Sequence, residues 1–478
     1  MLKKTFLLTS TLLACALSLG AKVTPAKLLT DNMVLQQKSN VCMWGSAEPN
    51  STVKITTSWS KQKTETKCDS KGQWSVKVAT PAASNAPQTV TFADGKGKPL
   101  TLSNVLIGEV WVASGQSNMD MGMSTYPDCP VEGGQEVIAT SAQYTGIRMF
   151  TVQKPSNPTP PQDTVVGGTW QTSCPKNVRE FSATAYFFAI MLNKVLNIPI
   201  GIITSSWGGT RIESWLPRDR AEKYLGASNR YNDPQPSFPN QPSALFNGMI
   251  NPLTRYNCAG FIWYQGEANL SATDYDSMLK DLSSSWRKLW GLGDLPFYIV
   301  EIAPFDYSPW VPDLTDAGRL RALQFKAAHE IVNSGIVGTN DLVKPYEQHQ
   351  IHPSKKREVG NRLAYLALHY NYGMTELACE GPSFKSMEIN SDKAILTFNN
   401  SDLGFSTPTG PLTGFEIAGE DKVFHPAKAE IIEHRRIQVS SPDVKTPVAV
   451  RYCYKDFLLG NVLDLHGFPL FPFRTDNW

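Results

Sequence analysis

The sequence predicts an α/β protein with a parallel central sheet and a β region on each side of it. In the middle of the 478-residue chain, stretches with helical spacing alternate with five short apolar runs: VLIGEVWVAS, IPIGIITSS, AGFIWYQG, LPFYIVEIAP and SGIVGTND. Strands that are buried on both faces and alternate with helices are typical of parallel sheets. The segments before and after instead show the alternating pattern of half-buried strands.

The sequence divides into four parts. We predict a signal peptide over residues 1–21, an N-terminal β sandwich over 22–105, the α/β domain over 106–373 and a C-terminal β region over 374–478. In the N-terminal part, apolar and polar residues alternate around Val53, Trp74 and Val90, which indicates antiparallel strands. The C-terminal part could form its own sandwich or complete the N-terminal one.

Two helices of the α/β domain stand out. The stretch SATAYFFAIMLNKVLN predicts one, and the second follows from apolar residues at helical spacing: Tyr275, Met278, Leu279, Leu282, Trp286 and Leu289. Residues 214–247 are rich in Pro, Asn and Arg and predict a long loop or lid. Loops of this length are often functional.

The N-terminus has the features of an export signal. Lys3 and Lys4 precede the short apolar run TFLLTSTLLACALSLGA, which ends in small residues and is shorter than the roughly 20 residues of a membrane span. We therefore expect an exported protein, periplasmic or secreted. Leu12 to Cys15 also look like a bacterial lipoprotein box, so Cys15 could carry a lipid anchor. No later segment is long and apolar enough to span a membrane.

Charge and cysteine content bear on possible partners and on disulfide bonds. A net charge of +2, without a dense Lys/Arg block, does not favour a nucleic-acid partner. Seven cysteines follow the predicted signal peptide. Cys129 and Cys174 bracket a polar, Pro-rich stretch and are the first candidates for a disulfide. We interpret the other cysteines as small buried hydrophobic residues.

The segment GQSN, residues 115–118, follows the run VLIGEVWVAS. In open α/β sheets, sites form beyond the carboxyl ends of the strands. A serine in a tight turn there can project its hydroxyl and its own N–H into one cleft, although it needs a base to become a nucleophile. Ser117 could equally cap the helix that follows.

Two further strand ends carry donors. In SSWGGTRIESW, Gly208 and Gly209 lack Cβ, so their N–H groups can approach a ligand oxygen and stabilise the oxyanion of an acyl-transfer intermediate. A plain glycine turn is the alternative. In WYQGEAN, Gln265 could donate to the same oxyanion, and Glu267 could be an orienting carboxylate. Of these two roles for Glu267, structural and catalytic, we favour the structural one.

The fourth segment, QIHPSKKREVGNRLAYL, contains a candidate base. A histidine such as His352, with an intrinsic pKa of about 6.5, is the natural base for a serine. His349 and His352 could also suggest a metal pair. Pro353 argues against a helix there, and no nearby carboxylate cluster completes such a site, so no metal is expected.

Together and in this order, the four segments resemble the sialate O-acetylesterase family of the SGNH-hydrolase superfamily. The similarity runs from DNMVLQQ, residues 31–37, to GFPLFPFRTDNW at the end of the chain, and it is densest in GQSN, WGGT, QGE and IHP. The resemblance implies a flavodoxin-like sheet that carries a Ser–His hydrolase. Such an enzyme removes acetyl esters from sugars and needs neither a metal nor an organic cofactor.

The resemblance also assigns roles to individual residues. It makes Ser117 the nucleophile and His352 the base. The oxyanion hole would combine the Ser117 N–H, a glycine N–H at Gly208 or Gly209, and the Gln265 amide. A serine at a strand tip is then explained, because its hydroxyl must be exposed to attack the ester.

Residues of the predicted lid could bind the sugar. Arg211, Glu213 and Trp215 lie in or next to it. An arginine beside the nucleophile would suit a carboxylated sugar such as sialic acid. Arg211 could equally be a salt-bridged anchor of the loop.

One position departs from the family pattern. Many relatives have an acid two residues before the histidine, as in Asp-Ile-His-Pro, and here that position is Gln350. Such a group fixes the imidazole tautomer, and its loss costs about four orders of magnitude in the serine-protease example. Gln350 or its carbonyl could orient His352, Asp341 or Glu347 could reach in, or the site could be impaired. We favour a working Ser–His pair with a non-standard orienting group.

Two functions remain open from the sequence. The first is an exported carbohydrate O-acetylesterase that acts on sialic acid or related glycans, or on acetylated xylan with the same catalytic parts. The second is a non-catalytic glycan-binding protein with a degenerate site. A degenerate site has no reason to keep the serine, the two glycines, Gln265 and His352 together, which favours the enzyme.

Overall fold

The computed structural model describes residues 23–157, 160–225, 237–310, 314–406 and 410–478. The predicted signal peptide and Cys15 lie outside these residues, as does part of the predicted lid. Among the residues inside them, no helix is long and apolar enough to cross a membrane.

The N-terminal region consists of β strands, as the alternating pattern predicts. The strands are β1 Thr24–Pro25, β2 Val34–Gln36, β3 Asn40–Ser46, β4 Thr52–Thr57, β5 Ser60–Lys67, β6 Gln73–Ala79, β7 Ser84–Ala93 and β8 Leu100–Gly115. One sheet has the order β1-β3-β6, and β4, β5, β7 and the start of β8 pair antiparallel in another. Val53, Trp74 and Val90 from these strands are buried in one core.

Strand β8 connects this region to the central sheet. Its first half pairs with β7, and its second half pairs in parallel with β11 and β12. The predicted boundary between residues 105 and 106 therefore lies inside one continuous strand. Because the backbone is unbroken, the position of the residues after Gly115 is determined by the N-terminal region as well as by the central sheet.

The central sheet has the order β10-β9-β11-β8-β12-β13-β14, and all its pairs are parallel except that of β10 with β9. The strands added here are β9 Ile147–Thr151, β10 Gln171–Thr172, β11 Ile200–Ser206, β12 Gly260–Tyr264, β13 Phe297–Val300 and β14 Ser334–Val337. The five apolar runs of the sequence fall on β8 and β11 to β14, which confirms the predicted parallel sheet. Every residue of β11, β12 and β13 is buried, as helices on both faces require.

Helices cover both faces of this sheet. They are α1 Ser117–Asp120, α2 Gly134–Thr140, α3 Pro175–Val178, α4 Ala183–Leu196, α5 Arg218–Ala221, α6 Tyr275–Trp290, α7 Asp316–Glu330 and α8 Lys356–Tyr370. Helices α4 and α8 pack together in one core, and α6 and α7 in the other. Both predicted helices, α4 and α6, are confirmed, although Leu289 of α6 is exposed. The described part of the predicted lid contains α5 and a π-helical turn at Phe246–Ile250.

The C-terminal region forms antiparallel sheets with a core of their own, so it does not complete the N-terminal sandwich. Two four-stranded sheets have the orders β15-β16-β21-β20 and β19-β18-β22-β24. The strands are β15 Ser383–Asn390, β16 Lys393–Asn399, β17 Phe405–Ser406, β18 Phe415–Ala418, β19 Phe424–Pro426, β20 Lys428–Ile432, β21 Arg436–Ser440, β22 Ala449–Tyr452, β23 Leu463–Asp464 and β24 Phe473–Arg474.

Candidate active site

A cleft of about 620 Å³ lies beyond the carboxyl ends of the central strands β8, β11 and β12. It contains both the candidate nucleophile and the candidate base. Its lining residues are Gln116, Ser117, Tyr126, Gly209, Arg211, Ser237, Asn240, Glu267, Ala268, Tyr307, Trp310, Ile351 and His352.

The turn after β8 places Ser117 in this cleft. Gly115 has φ +136, and a Cβ there would lie 2.1 Å from the carbonyl oxygen of Tyr264, so this close approach of two strands requires glycine. The Gln116 N–H donates to the Tyr264 oxygen at 3.0 Å, which fixes the turn against β12. The N-cap of α1 is Gln116, without a side-chain capping bond, so Ser117 is not a helix cap.

The glycine loop after β11 runs directly beside the nucleophile. A Cβ on Gly208 would lie 3.3 Å from the Ser117 Cβ, and Gly209, with φ +72, lines the cleft. Within the described part of the chain, the backbone N–H groups of Ser117, Gly208 and Gly209 donate no hydrogen bond. Three unbonded backbone donors therefore lie in the nucleophile turn and the glycine loop beside it.

Gln116 adds a side-chain donor that the sequence analysis missed. Its Oε1 accepts hydrogen bonds from Gln265 Nε2 at 3.1 Å, from the Gly266 N–H at 3.3 Å and from the Ala268 N–H at 3.2 Å. These bonds fix the orientation of the amide. Its nitrogen has no hydrogen-bond partner among the residues that the structure describes, and the residue lines the cleft. The only sequence signal was its place directly before the serine.

Gln265 lies behind the cleft, although the sequence placed it in the oxyanion hole. Its side chain is fully buried, and its Nε2 is bonded to Gln116 Oε1, to the Thr210 carbonyl at 3.0 Å and to Asn269 Oδ1 at 2.8 Å. Its oxygen accepts from the Tyr275 hydroxyl. An amide with two hydrogens and three acceptors has no donor left for a ligand. Gln265 therefore supports Gln116 and the glycine loop.

Asn118 connects the nucleophile turn to the rest of the site. Its Nδ2 donates to Glu267 Oε1 at 2.6 Å and to the Ile351 carbonyl at 3.0 Å, and its Oδ1 accepts from Lys356 Nζ at 2.6 Å. Burial raises the pKa of Glu267. Glu267 is thus bonded to the residue that follows the candidate nucleophile and also lines the cleft.

His352 lines the same cleft, in the segment between a 3₁₀ turn at Pro345–Glu347 and helix α8. Its Nε2 is buried and has no hydrogen-bond partner in the described residues. The ring of Tyr126 packs edge-on against it, with centroids 4.9 Å apart. Burial, reinforced by the positive charge of Lys356, lowers the pKa of His352 to about 4. The imidazole is therefore neutral at pH 7, as a general base must be.

Neither of the two acids considered from the sequence orients His352. Asp341 forms a two-pronged ion pair with Arg362, with oxygen–nitrogen distances of 2.8 and 2.6 Å. Glu347 accepts from the N–H groups of Lys344 at 2.9 Å and Ser354 at 3.2 Å. Both carboxylates are thus engaged in holding their own loop.

The Nδ1 atom of His352 instead faces a thiol. Cys129 Sγ lies 3.4 Å from Nδ1 and 3.2 Å from Gln350 Oε1. Gln350 contacts the backbone N–H of His352 at 3.3 Å, so its side chain reaches the imidazole ring only through Cys129. The predicted disulfide between Cys129 and Cys174 is wrong, because all seven cysteines in the described residues are free thiols. The positions of two cysteines on either side of a polar stretch do not determine whether their side chains face each other.

Comparison with known proteins agrees with this geometry. Residues 107–369, more than half of the chain, match the family described as carbohydrate esterase, sialic acid-specific acetylesterase. The chain belongs to this family. The resemblance inferred from the four sequence segments is thereby confirmed, and as a carbohydrate esterase the protein is a hydrolase that acts on ester bonds.

Relatives align along most of the chain. The human sialate O-acetylesterase is 29% identical over 407 residues, which cover 78% of this chain and 75% of the human protein. The mouse sialate O-acetylesterase is 28% identical over 432 residues and covers 78% and 77%. The crystal structure of a carbohydrate acetylesterase from Xanthomonas citri is 33% identical, with a TM-score of 0.85, and covers 96% of this chain and 100% of that one.

Of the three residues that the sequence analysis considered for sugar binding, one lines the esterase cleft and two are buried. Arg211 lines the cleft. Glu213 is buried, and its Oε2 accepts from Asn269 Nδ2 at 2.8 Å, so its side chain is bonded within the protein. Trp215 is fully buried. His349 faces away from the candidate base, with its Nδ1 3.6 Å from Asp306 Oδ2.

Two aromatic residues of the cleft had no signal in the sequence. The Tyr126 hydroxyl interacts with the Ser117 side chain, and burial raises the pKa of this phenol. Trp310 is 60% exposed at the rim, where its ring stacks on Phe305 with centroids 5.5 Å apart and an interplanar angle of 13°. Both residues lie in irregular segments, which periodicity does not detect.

Proposed function

We propose that this chain is a serine-type carbohydrate O-acetylesterase that hydrolyses acetyl esters on sialic acid or related glycans through an acyl-enzyme. One observation carries the proposal. Ser117 and His352 share a cleft with unbonded N–H groups, and the buried Nε2 of His352 has no partner among the described residues. A nucleophile, a base and donors for an oxyanion are the parts that acyl transfer needs.

In the first half of the reaction, the Ser117 hydroxyl attacks the acetyl carbonyl while His352 Nε2 takes its proton. The tetrahedral intermediate collapses, the C–O bond to the sugar breaks, and the imidazolium gives its proton to the leaving sugar oxygen. The acetyl group is then bonded to Ser117. Catalytic hydrogen bonds are often long in a free enzyme and tighten when substrate binds.

In the second half, water attacks the acetyl-enzyme. His352 takes a proton from the water and returns it to Ser117 as the ester bond breaks, which releases acetate. The oxyanion of both steps is stabilised by the N–H groups of Ser117 and Gly208 or Gly209. We add the Gln116 amide nitrogen to this hole in place of Gln265, because the donors of Gln265 are already bonded.

The strand order supports an SGNH-type domain. Without β9, the parallel strands β11-β8-β12-β13-β14 have the order 2-1-3-4-5 in chain sequence, which is the flavodoxin-like order. In such sheets the site lies where strands 1 and 3 meet. Here these strands are β8 and β12, and Ser117 directly follows β8.

The substrate assignment rests on the family and on Arg211. An arginine in the cleft offers planar donors that match a carboxylate, the group that distinguishes sialic acid from neutral sugars. Gln350 retains a positioning role toward His352. Export of the protein is part of the same proposal and is based on residues 1–21 of the sequence.

The test is acetate release from p-nitrophenyl acetate and from 9-O-acetylated sialic acid at pH 7.5. We expect activity in the wild type and a loss of about six orders of magnitude in kcat of Ser117→Ala, the size found when a serine protease loses its nucleophile. Ser124→Ala, in the exposed stretch after α1, is the matched control and should retain activity.

The outcomes separate mechanism from substrate. Release from the artificial ester but not from the sialoside would keep the Ser–His mechanism and move the substrate to other acetylated glycans. A folded wild type that releases no acetate from either ester or from a panel of acetylated glycans would refute the proposal and favour a glycan-binding protein.

A further inference from the structure

We propose that the Cys129 thiol is the positioning group of His352, in the place where related hydrolases use a carboxylate, and that Gln350 acts on the histidine through this thiol. The inference rests on the proposed function, because it concerns the base of that reaction. It gives a buried cysteine a task that no sequence motif assigns.

A chain of three hydrogen bonds leads to the imidazole. Gln350 Nε2 donates to the Asp128 carbonyl at 2.8 Å, which turns Gln350 Oε1 toward the thiol. Cys129 Sγ lies 3.2 Å from that oxygen and 3.4 Å from His352 Nδ1. An amide oxygen can only accept, so the thiol proton points to Gln350 and the sulfur lone pairs are left for Nδ1–H.

This direction fixes the tautomer of the histidine. When Nδ1 carries the proton, Nε2 is the unprotonated nitrogen, and only an unprotonated Nε2 can take the proton of Ser117. The buried Nε2 has no other hydrogen-bond partner in the described part of the chain. The thiol therefore supplies the orientation that an acid provides in the standard triad.

The thiol is neutral, which distinguishes it from an acid. Burial raises the pKa of Cys129, so the group is an S–H at neutral pH. A neutral acceptor orients the ring but adds no negative charge beside it. The low pKa of His352, about 4, fits a site in which burial and the nearby Lys356 charge are not offset by a carboxylate on the ring.

The loop that carries Cys129 is fixed to the loop that carries His352. The Glu132 N–H donates to the Ser354 carbonyl at 2.9 Å, and Lys344 Nζ pairs with Glu132 Oε2 at 2.6 Å. Cys129 itself is only 7% exposed. These contacts hold the sulfur near Nδ1, and the edge-on contact of Tyr126 packs against the same ring.

The first experiment compares Cys129→Ala with Cys129→Ser on p-nitrophenyl acetate. Loss of one hydrogen bond to the base should lower kcat of the alanine variant roughly tenfold with little change in KM. The serine variant keeps a donor and an acceptor and should recover most of kcat. Cys174→Ala is the matched control, because this free thiol does not line the cleft, and it should leave kcat unchanged.

Two further measurements separate positioning from a merely structural role. Cys129→Asp would place a carboxylate beside Nδ1, which favours the imidazolium, so the acid limb of kcat/KM should move to higher pH. In a double-mutant cycle, Gln350→Ala and Cys129→Ala should be non-additive, because both interrupt one chain of hydrogen bonds. Circular dichroism confirms that each variant compared is folded.

Three results would overturn the inference: wild-type kcat in Cys129→Ala, equal losses in the alanine and serine variants, or fully additive effects of Gln350 and Cys129. Each of these results is compatible with the proposed esterase function as long as Ser117→Ala is inactive. Activity that survives in Ser117→Ala would instead refute the proposed function itself, so the two failures are distinguishable.

Discussion

The nucleophile turn, residues 115–118, and the histidine loop, residues 348–355, reach the same cleft by different means. The turn continues a 16-residue strand and is bonded to both neighbouring strands, through Gln116 to β12 and through the Gly115 carbonyl to Trp207 after β11. The histidine loop does not directly follow a strand, because β14 ends at Val337 and a 3₁₀ turn at Pro345–Glu347 comes before the loop. Its site-facing contacts are with side chains from other segments, Asn118 on Ile351 and Cys129 on His352.

The two halves of the site are therefore positioned by different kinds of contact. A sheet register sets the position of Ser117, so substitutions of single side chains should alter its chemistry more than its place. The base depends on a contact between residues 223 positions apart in the chain. We therefore expect the nucleophile side to contribute to both stability and rate, and the histidine side to contribute mainly to rate.

After Ser117 itself, the largest effect is expected at Gln116, also on the nucleophile side. Gln116→Ala removes a preorganised donor from the oxyanion hole and should lower kcat by about a hundred- to a thousandfold, the range found when one such donor is lost. Steady-state kinetics on p-nitrophenyl acetate measures this. Gln116→Glu keeps the oxygen that accepts three bonds and loses the N–H donor, so it should be similarly inactive but more stable than the alanine variant.

The control for Gln116 is Gln62→Ala, at an exposed position of β5. It should retain the wild-type kcat. If Gln116→Ala raised KM and left kcat intact, Gln116 would bind substrate and transition state equally, and the oxyanion hole would have to be built without it.

The sequence was sufficient for the parts of the site that are local. Apolar runs predicted the strands, and the polar residues that directly follow two of those runs predicted Ser117 and the glycine loop as site residues, because strand ends of a parallel sheet converge at one edge. His352 was predicted as the natural base for a serine. Contacts between loops that are far apart in the chain could not be predicted from the sequence. Spacing suggested a disulfide for Cys129, and it could not show that the amide of Gln265 is bonded internally while that of Gln116 faces the cleft.

The next effect compares stability on the two sides. Asn118→Ala breaks bonds to a buried carboxylate, a buried ammonium and a backbone carbonyl, and should lower the free energy of unfolding by about 2 kcal/mol or more. Cys129→Ala should cost less than about 1 kcal/mol, since its bonds are weak and neutral. Chemical denaturation of both variants measures the difference. If both variants lost the same free energy of unfolding, the proposed difference between the nucleophile turn and the histidine loop would be contradicted.

The pH profile tests the histidine side directly. The base must be neutral, and a pKa of about 4 instead of 6.5 shifts its protonation to more acidic solution. We therefore expect kcat/KM to be maintained from pH 7 down to about pH 5 and to fall as the pH passes through the pKa near 4. An acid limb near pH 6.5 would show that burial does not act on His352 as the structure implies.

Lys356→Met tests how much the charge of Lys356 contributes to the low pKa of His352. Removing the buried ammonium removes its repulsion of the imidazolium, so the pKa of His352 and the acid limb should both rise. Lys355→Met is the matched control, because the neighbouring Lys355 is partly exposed and its Nζ lies 3.5 Å from the Asp341 carbonyl. Its acid limb should coincide with that of the wild type. Only variants with a cooperative unfolding transition enter the comparison.

The smallest effect concerns substrate binding at Trp310, which belongs to the histidine side. Its loop is bonded to the histidine loop through the Asp306 N–H and the Gln348 carbonyl at 3.0 Å. One face of the indole stacks on Phe305, and the residue remains 60% exposed at the cleft rim. Trp310→Ala should raise KM for an acetylated glycan about fivefold, equivalent to roughly 1 kcal/mol of aromatic contact, with kcat unchanged.

The same variant should hydrolyse p-nitrophenyl acetate with nearly wild-type kinetics, since this small ester does not reach the rim. Trp478→Ala, at the partly exposed end of the C-terminal region, is the matched control and should change neither substrate's KM. If KM rose equally for both esters, Trp310 would act by holding the histidine loop in place. The rim and the base would then be one mechanical unit, and the histidine side would be as firmly braced as the nucleophile turn.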